Sequence, residues 1–479
     1  MEQGAAGPAR HGDDDAGSLA DVAAAREAGR LDEAEAILES LLRRAPFDPA
    51  PLAALGELRL AQSRVWEAEE LFRRALALDR RHPGALFGLA SAALAGPDPD
   101  RAEPWLRQML AVDPEHHDAL MNLGSLLRQH LRYDEAARLF GRAARQLPPD
   151  TERGVFAHTM HALTLMGMGA WAEGWPEYEA RLHTTLLAQN RTFARYAPRW
   201  AGERPADPET RLLVWHEQGL GDSIQFARYL KYPLCLGFRL IVHVQPPLER
   251  LLRISLGDYA QVVSGDSLPS GQWQCPMMSL PLALAPHLGA EIPAEVPYLS
   301  ADPAQVAAFA RHLDSVAPGR RRLGLAWRGN PANPNDRARS IDPRLVGLLL
   351  DIDADFFLIQ PGEDPAALAA EGRRPVHDLT PMIGDFADTA AALLALDGLV
   401  SVDTSVAHLA GALGRPVWLP LPRVPDWRWG LGSPRTVWYP SVRLFRQSVA
   451  GAWGEPLSAL ALDLARWLAA PPEPTKARR

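Results

Sequence analysis

The sequence is poor in lysine and cysteine and has no long apolar run. Lysine occurs only at Lys231 and Lys476, so all the other members of its 50 basic residues are arginine. A side chain that clamps an anionic ligand is therefore expected to be Arg. The only cysteines, Cys235 and Cys275, fit neither a disulfide framework nor a zinc cluster and suit a reducing, cytoplasmic setting. No stretch reaches roughly 18 uninterrupted apolar residues, so no transmembrane helix is expected. The opening MEQGAAGPARHGDDDAGS lacks the basic start and apolar stretch of a signal peptide and reads as a disordered lead over residues 1–18. Residues 469–479 read as a loose tail. Basic charge is not in excess: the formal net charge of −8 argues against a general nucleic-acid binder.

What is present is a globular composition, 47% hydrophobic and 23% charged, in a 479-residue chain too long for one core. From about residue 19 to 150 the chain is rich in Ala, Leu and Arg and recurs about every 34 residues, the period of a helix-turn-helix solenoid. Leu55-Gly56, Leu89-Ala90 and Leu123-Gly124 fall in register. So do Ala34, Ala68, Ala102 and Ala136, followed by Leu38, Phe72, Leu106 and Phe140. Pro49, Pro83, Pro114 and Pro148 punctuate the helix pairs, and the first unit is degenerate in its opening helix. Small residues let paired helices approach; large ones fill the groove between units. Residues 154–182 repeat the idea in shifted register with a Pro in the second helix. They read as a terminal unit that docks on the next domain through Trp171, Trp175 and Tyr178, so helical repeats are expected over 19–184.

After RWAGERPAD the character changes. RLLVW, FRLIVHV and AQVV, then RRLGLAW, DFFLI, GLVSV and RPVWLPL alternate with helical segments, the pattern of parallel sheets covered by helices. A helix and linker near 299–320 divide this region into Rossmann-like domains at 205–300 and 320–468. Ligands in such sheets bind beyond the carboxyl ends of the strands.

Four strand-end clusters stand out, three of them in the second series of strands. In HEQGLGDSIQFARYL (216–230) a glycine-rich turn, Gly219 to Asp222, follows a strand; it lacks the third glycine of a dinucleotide fingerprint. In GLVSVDTSVAHLAGALGRPVWLPLP (398–422), Asp403, Thr404 and Ser405 stand where a strand meets a helix N-terminus. That place offers free N–H groups and a favourable dipole to a diphosphate, and equally suits an ordinary N-cap. The loop AWRGNPANPNDRARS (326–340) supplies Asn330, Arg337 and Arg339, and DFADTA (385–390) supplies Asp385, Asp388 and Thr389. A metal-binding Asp-x-Asp is not expected, because Asp351-Ile-Asp353 falls on a helix end away from the cleft.

Together GLGDSIQFARYL, AWRGNPANPNDRARSI, DFADTAAALLALDGLVSVDTSVAHLAGALGRPVW, DWRW and WYPSVRLFRQ resemble bacterial tetratricopeptide-repeat glycosyltransferases. Their catalytic part is similar to ADP-heptose heptosyltransferases and, more distantly, to O-GlcNAc transferases. The resemblance spans about residues 20–465 and implies an α solenoid followed by a GT-B pair of α/β domains, acceptor half first. It implies Asp222 as catalytic base in a cleft loop with Gly219, Gly221, Ser223 and Gln225; His216 is a weaker candidate. It implies a nucleotide-sugar site of Asn330, Arg337, Arg339, Asp385, Thr389, Asp403, Thr404, Ser405, His408 and Gly411. The leaving diphosphate would be held without a metal, and no cofactor is expected because the nucleotide-sugar is a substrate. The heptosyltransferase lysine near the phosphates has no counterpart here, so Arg337 or Arg339 would replace it.

The expected reaction is sugar transfer, with inversion, to a protein hydroxyl. The repeats would hold the acceptor, flagellin being one candidate because the family includes flagellin glycosyltransferases. The competing readings are transfer to lipopolysaccharide or another polysaccharide, and a repeat scaffold whose sheet domains no longer catalyse.

Overall fold

A computed structural model describes residues 17–184, 197–265, 270–332, 336–369 and 374–470. Residues 1–16 of the expected lead and 471–479 of the expected tail lie outside it. The chain divides into two compact units between Pro148 and Pro149.

The first unit contains helix pairs Leu19–Glu27 with Leu31–Arg44, Pro49–Ala61 with Val65–Leu78, Pro83–Ala95 with Ala102–Val112, and His117–Gln129 with Tyr133–Ala144. Their starts are chemically marked. Ser18 and Asp21 cap the first helix reciprocally, and Asp48, His82 and His116 each accept a backbone N–H at the head of theirs. Pro49 and Pro83 occupy the first helical position, where the missing N–H is not needed. The Ala and Leu/Phe ladder is fully buried. A Cβ on Gly56 or Gly88 would come within 2.6 or 2.3 Å of the Phe72 ring, so glycine is what lets two helices close around it.

In three of the four pairs the turn carries a residue in the left-handed conformation. Gly29, Ser63 and Leu131 take it in register, with φ of 72°, 60° and 61°. The equivalent residue in the third pair is Pro97, which cannot adopt positive φ, and a 3₁₀ turn over Pro99–Arg101 replaces the motif. Leu131 is 39% exposed, so its side chain contributes little packing against the strain it bears. Leu131→Gly is therefore expected to stabilise the first unit by roughly 0.5–1 kcal/mol, the left-handed penalty less glycine's entropy cost. Urea unfolding checks this: a midpoint that stays put or falls would show that the side chain matters more than the turn.

The second unit opens with helices Glu152–Gly167 and Trp171–Tyr178, the latter carrying Pro176 internally. Trp171 and Trp175 meet Trp427 at ring distances of 6.0 and 5.9 Å, fixing this hairpin to the sheet-bearing part of the same unit.

Two parallel sheets follow. The first comprises β1 (Arg211–Trp215), β2 (Arg239–His243), β3 (Ala260–Val263) and β4 (Trp273–Pro276), in the order β3-β2-β1-β4. The second comprises β5 (Arg322–Ala326), β6 (Asp355–Leu358), β7 (Val376–Asp378), β8 (Gly398–Ser401), β9 (Val417–Leu421) and β10 (Val442–Arg446), in the order β10-β9-β8-β5-β6-β7. Helices follow β1, β2 and β4 in the first sheet and β5, β6, β7, β8 and β10 in the second, and continuous apolar runs such as LLVW and VWLPL are buried between layers. Both orders reverse direction, at β1/β4 and at β5/β8. Loops diverge at such switch points and leave a crevice at the strands' carboxyl ends.

Candidate functional site

The crevice is a cleft of about 860 Å³ in the second unit, lined by loops from both sheets. Helix Leu220–Phe226, after β1, approaches helix Ser405–Ala412, after β8. The approach is tight: a Cβ on Gly221 would sit 3.2 Å from His408 Cδ2 and 3.4 Å from Ser405 Cα, so even a methyl group there would ask a neighbour to give by a few tenths of an ångström. The glycine-rich turn thus serves close apposition of two helix ends across the cleft.

Asp222 lines this cleft. It does not cap a helix starting at Ser223: the helix begins at Leu220, Gly219 is the N-cap, and Asp222 is the third helical residue. Its Oδ2 accepts the Gly219 N–H at 2.8 Å, and its Oδ1 pairs with Arg428 Nη2. Arg428 also donates to Asp426 Oδ1 and Gln225 Oε1, each at 2.8 Å, with its guanidinium 4.3 Å above the Trp427 ring. Burial pushes the Asp222 carboxyl up, opposed by Arg428 and the Gly219 N–H.

On the facing side, Thr404 is the N-cap of Ser405–Ala412 and makes no side-chain cap bond; its hydroxyl meets Ser401 Oγ at 3.1 Å. Asp403, Thr404 and Ser405 all line the cleft. Arg339 reaches over from the loop after β5 and donates from Nη1 to the Asp403 carbonyl at 2.8 Å, tying the two switch-point loops together. A Cβ on Gly329 would meet Asp336 Oδ1 at 2.0 Å and Arg339 at 2.5 Å, so a larger residue would require both side chains to move. Burial, with Asp426 nearby, pushes Asp403 up to about 6. His408 is 4% exposed, donates to or accepts from the Tyr439 hydroxyl at 2.9 Å and stacks on Trp429 at 5.0 Å. Burial, and then Arg428, Arg228 and Arg339, hold its pKa well below the usual imidazole value. It is therefore a neutral hydrogen-bonding ring at pH 7.

The structure brings Gly219, Gly221, Asp222, Asn330, Arg339, Asp385, Thr389, Asp403, Thr404, Ser405 and His408 to one cleft wall or another. Four expected residues stand apart from that lining. Ser223 is buried and donates to Gln245 Oε1 at 2.8 Å; Gln225 is buried beneath Arg428. Arg337, on the short helix Asp336–Arg339, is exposed. Gly411 is buried against Tyr439, whose ring a Cβ would meet at 2.6 Å, so its role is packing. Asp385 is already engaged: it caps helix Phe386–Ala395 and accepts a bidentate pair from Arg250 at 2.7 and 2.6 Å, while Asp388 pairs with the same arginine. Thr389 Oγ1 donates to the Asp385 carbonyl at 3.0 Å. His216 stacks on His243 at 5.2 Å outside the cleft lining, with burial lowering it to about 4.

The residue that sequence reading passed over is Arg428. Its only local signal is the alternation of charge and aromatic in Asp426-Trp427-Arg428-Trp429. Among the described residues no group of three or more His, Cys, Asp or Glu is arranged to hold a metal ion, and no helix is long and apolar enough to cross a membrane.

Residues 19–84, 53–111 and 87–151 match the tetratricopeptide repeat family. Protein FlbA of Caulobacter vibrioides is 28% identical over 372 residues, which is 69% of this chain and 58% of that protein; the chain thus spans little more than half of that relative. Among solved structures, MamA matches 36% of this chain and 97% of its own, at 20% identity and a TM-score of 0.30. A family 9 glycosyl transferase from Veillonella parvula matches 54% of this chain and 99% of its own, at 9% identity and a TM-score of 0.40.

Proposed function

We propose that the protein is a glycosyltransferase of GT-B organisation that moves a sugar from a nucleotide-activated donor to a protein hydroxyl. The observation that carries this reading is the apposition of Asp222, a partly buried carboxylate, and the open N-terminus of helix Ser405–Ala412 across one cleft. A group-transfer site needs both: a base for the incoming hydroxyl and a cradle for the departing anion.

The acceptor hydroxyl gives its proton to Asp222 as its oxygen attacks the anomeric carbon. The bond from that carbon to the diphosphate oxygen breaks, and the pair of electrons leaves with the diphosphate. The backbone N–H groups at Ser405 and Val406, the helix dipole and Arg339 meet the developing charge. Attack from the face opposite the leaving group inverts the anomeric centre. Neutral His408 supplies a hydrogen bond without competing for the proton. The repeats, of a kind that presents extended binding surfaces, hold the acceptor protein, for which flagellin is a candidate, and the reaction takes place in the cytoplasm.

Intact-mass measurement of secreted filament protein from cells with and without the gene tests the acceptor. A sugar-sized mass loss in the deletion strain is expected; unchanged protein with altered lipopolysaccharide would move the acceptor to a glycan. In vitro transfer should persist in excess EDTA, since N–H groups and Arg339 are assigned to the diphosphate. Abolition by EDTA, restored by a divalent cation, would overturn that assignment.

A further inference from the structure

The Asp222 loop is held from outside the two sheets. Helix Trp171–Tyr178 continues into a 3₁₀ turn over Glu179–His183, and this hairpin end reaches the segment just before the loop. Arg181, 3% exposed, makes a bidentate pair with Glu217, Nε to Oε2 and Nη2 to Oε1, each at 2.9 Å. The Glu217 side chain is wholly buried, and its Oε1 also accepts the Met278 N–H at 3.0 Å. The remaining Arg181 donors go to the Tyr178 carbonyl at 3.0 Å, Glu179 Oε1 at 2.9 Å and Ser279 Oγ at 2.8 Å. One residue on, Gln218 Nε2 donates to the Tyr178 hydroxyl at 3.1 Å, and the Gln218 carbonyl accepts from Gln245 at 2.8 Å. Gln245 in turn accepts from Ser223 at 2.8 Å. Both shoulders of the turn, residues 217–218 and 223, are therefore pinned, and only 219–222 span between them.

A buried ion pair is a poor way to gain stability, because desolvation offsets most of its attraction, but it is directional where apolar packing is not. Such a pair adjoining the proposed base is consistent with a geometric task.

We infer that Arg181 and Tyr178 are positioning residues for Asp222, acting through Glu217 and Gln218, so that the helical hairpin at 152–183 is a working part of the transfer site. This rests on the reading of Asp222 as the base. The consequence is a split between steps: the hairpin governs turnover of bound donor, while donor capture belongs to the loops after β5 and β8.

The test uses the full chain with Arg181→Lys, which keeps the charge but loses the fork, and Tyr178→Phe, which removes one hydroxyl. Hydrogen exchange is read first. Faster exchange confined to amides 218–223, with β1 and helix Ser405–Ala412 unchanged, is expected in both variants; unchanged exchange at 218–223 overturns the inference. If Arg181→Lys loosens the whole unit, Tyr178→Phe decides alone. Kinetics follow: kcat should fall about two- to tenfold in Tyr178→Phe and more in Arg181→Lys, with donor KM unchanged. A rise in donor KM at constant kcat would overturn the inference. A wild-type chain that transfers no sugar would defeat the reading of the reaction, whereas the exchange pattern still decides the positioning.

Discussion

Asp222→Asn is expected to lower the transfer rate by about 10²–10⁴-fold while leaving the fold and donor affinity nearly intact. The variant is unusually clean here. Asn retains an oxygen to accept the Gly219 N–H, so the head of helix Leu220–Phe226 keeps its cap. Arg428 keeps Asp426 at 2.8 Å as a counter-ion, so no buried charge is left alone. What disappears is the capacity to take a proton, together with the Arg428 contact, whose Nη2 then faces the amide NH2. Asp222 must be ionised to act, so the rate should rise with pH through its pKa and fall on the acid side. Burial moves that acid limb above the ordinary carboxylate position, with Arg428 limiting the displacement. Single-turnover rates of wild type and variant across pH, beside calorimetric donor binding, check both points. Near-wild-type turnover in the folded variant would remove Asp222 from the chemistry.

The second large effect separates two arginines that sit two residues apart. Arg339→Ala should weaken nucleotide-sugar binding by roughly 1.5–3 kcal/mol, the range for a charged hydrogen bond, or about 10- to 150-fold in Kd. Arg339 lines the cleft and also holds the Asp403 carbonyl, so its removal loosens the cradle as well as uncharging it. Arg337 is exposed and outside the cleft lining, and Arg337→Ala should leave Kd within experimental scatter. Calorimetry with nucleoside diphosphate alone suffices for the comparison. Equal losses in both variants would mean that the loop's net charge matters rather than the contact; no loss in either would place the phosphate clamp elsewhere.

What could be read from the chain followed the range of the interactions involved. The repeats were legible because their ladder is local: Ala68 and Phe72 lie on one helix and pack with residues of the next. Strands β1, β2, β5, β6, β8 and β9 announced themselves by apolar runs, because a parallel sheet buries both faces; β3, AQVV, was read despite Gln261 and buries only Val262. β4 and β7 did not: Trp273–Pro276 carries Gln274 and a terminal proline, and Val376–Asp378 has only three residues. β10 passed as part of a recognisable motif rather than as a strand. The strand-end clusters were visible, yet their division of labour was not, since that depends on partners remote in sequence. Asp385 looks like a ligand group until Arg250 is placed beside it, and Arg428 has no meaning until helix Leu220–Phe226 is folded against it. Gly411 shows the reverse: a small residue beside a strand-end cluster suggests a ligand, and a Cβ there would meet the Tyr439 ring at 2.6 Å.

The contact between Gly221 and His408 has a bearing on how such a site could change over generations. A Cβ at residue 221 would stand 3.2 Å from His408 Cδ2 and 3.4 Å from Ser405 Cα, so one added carbon would ask the facing helix to give by a few tenths of an ångström. Residue 221 is thus a shim of zero thickness. Larger side chains there would press the walls apart by graded amounts and alter what the cleft admits, with the codon for a single residue setting the gauge.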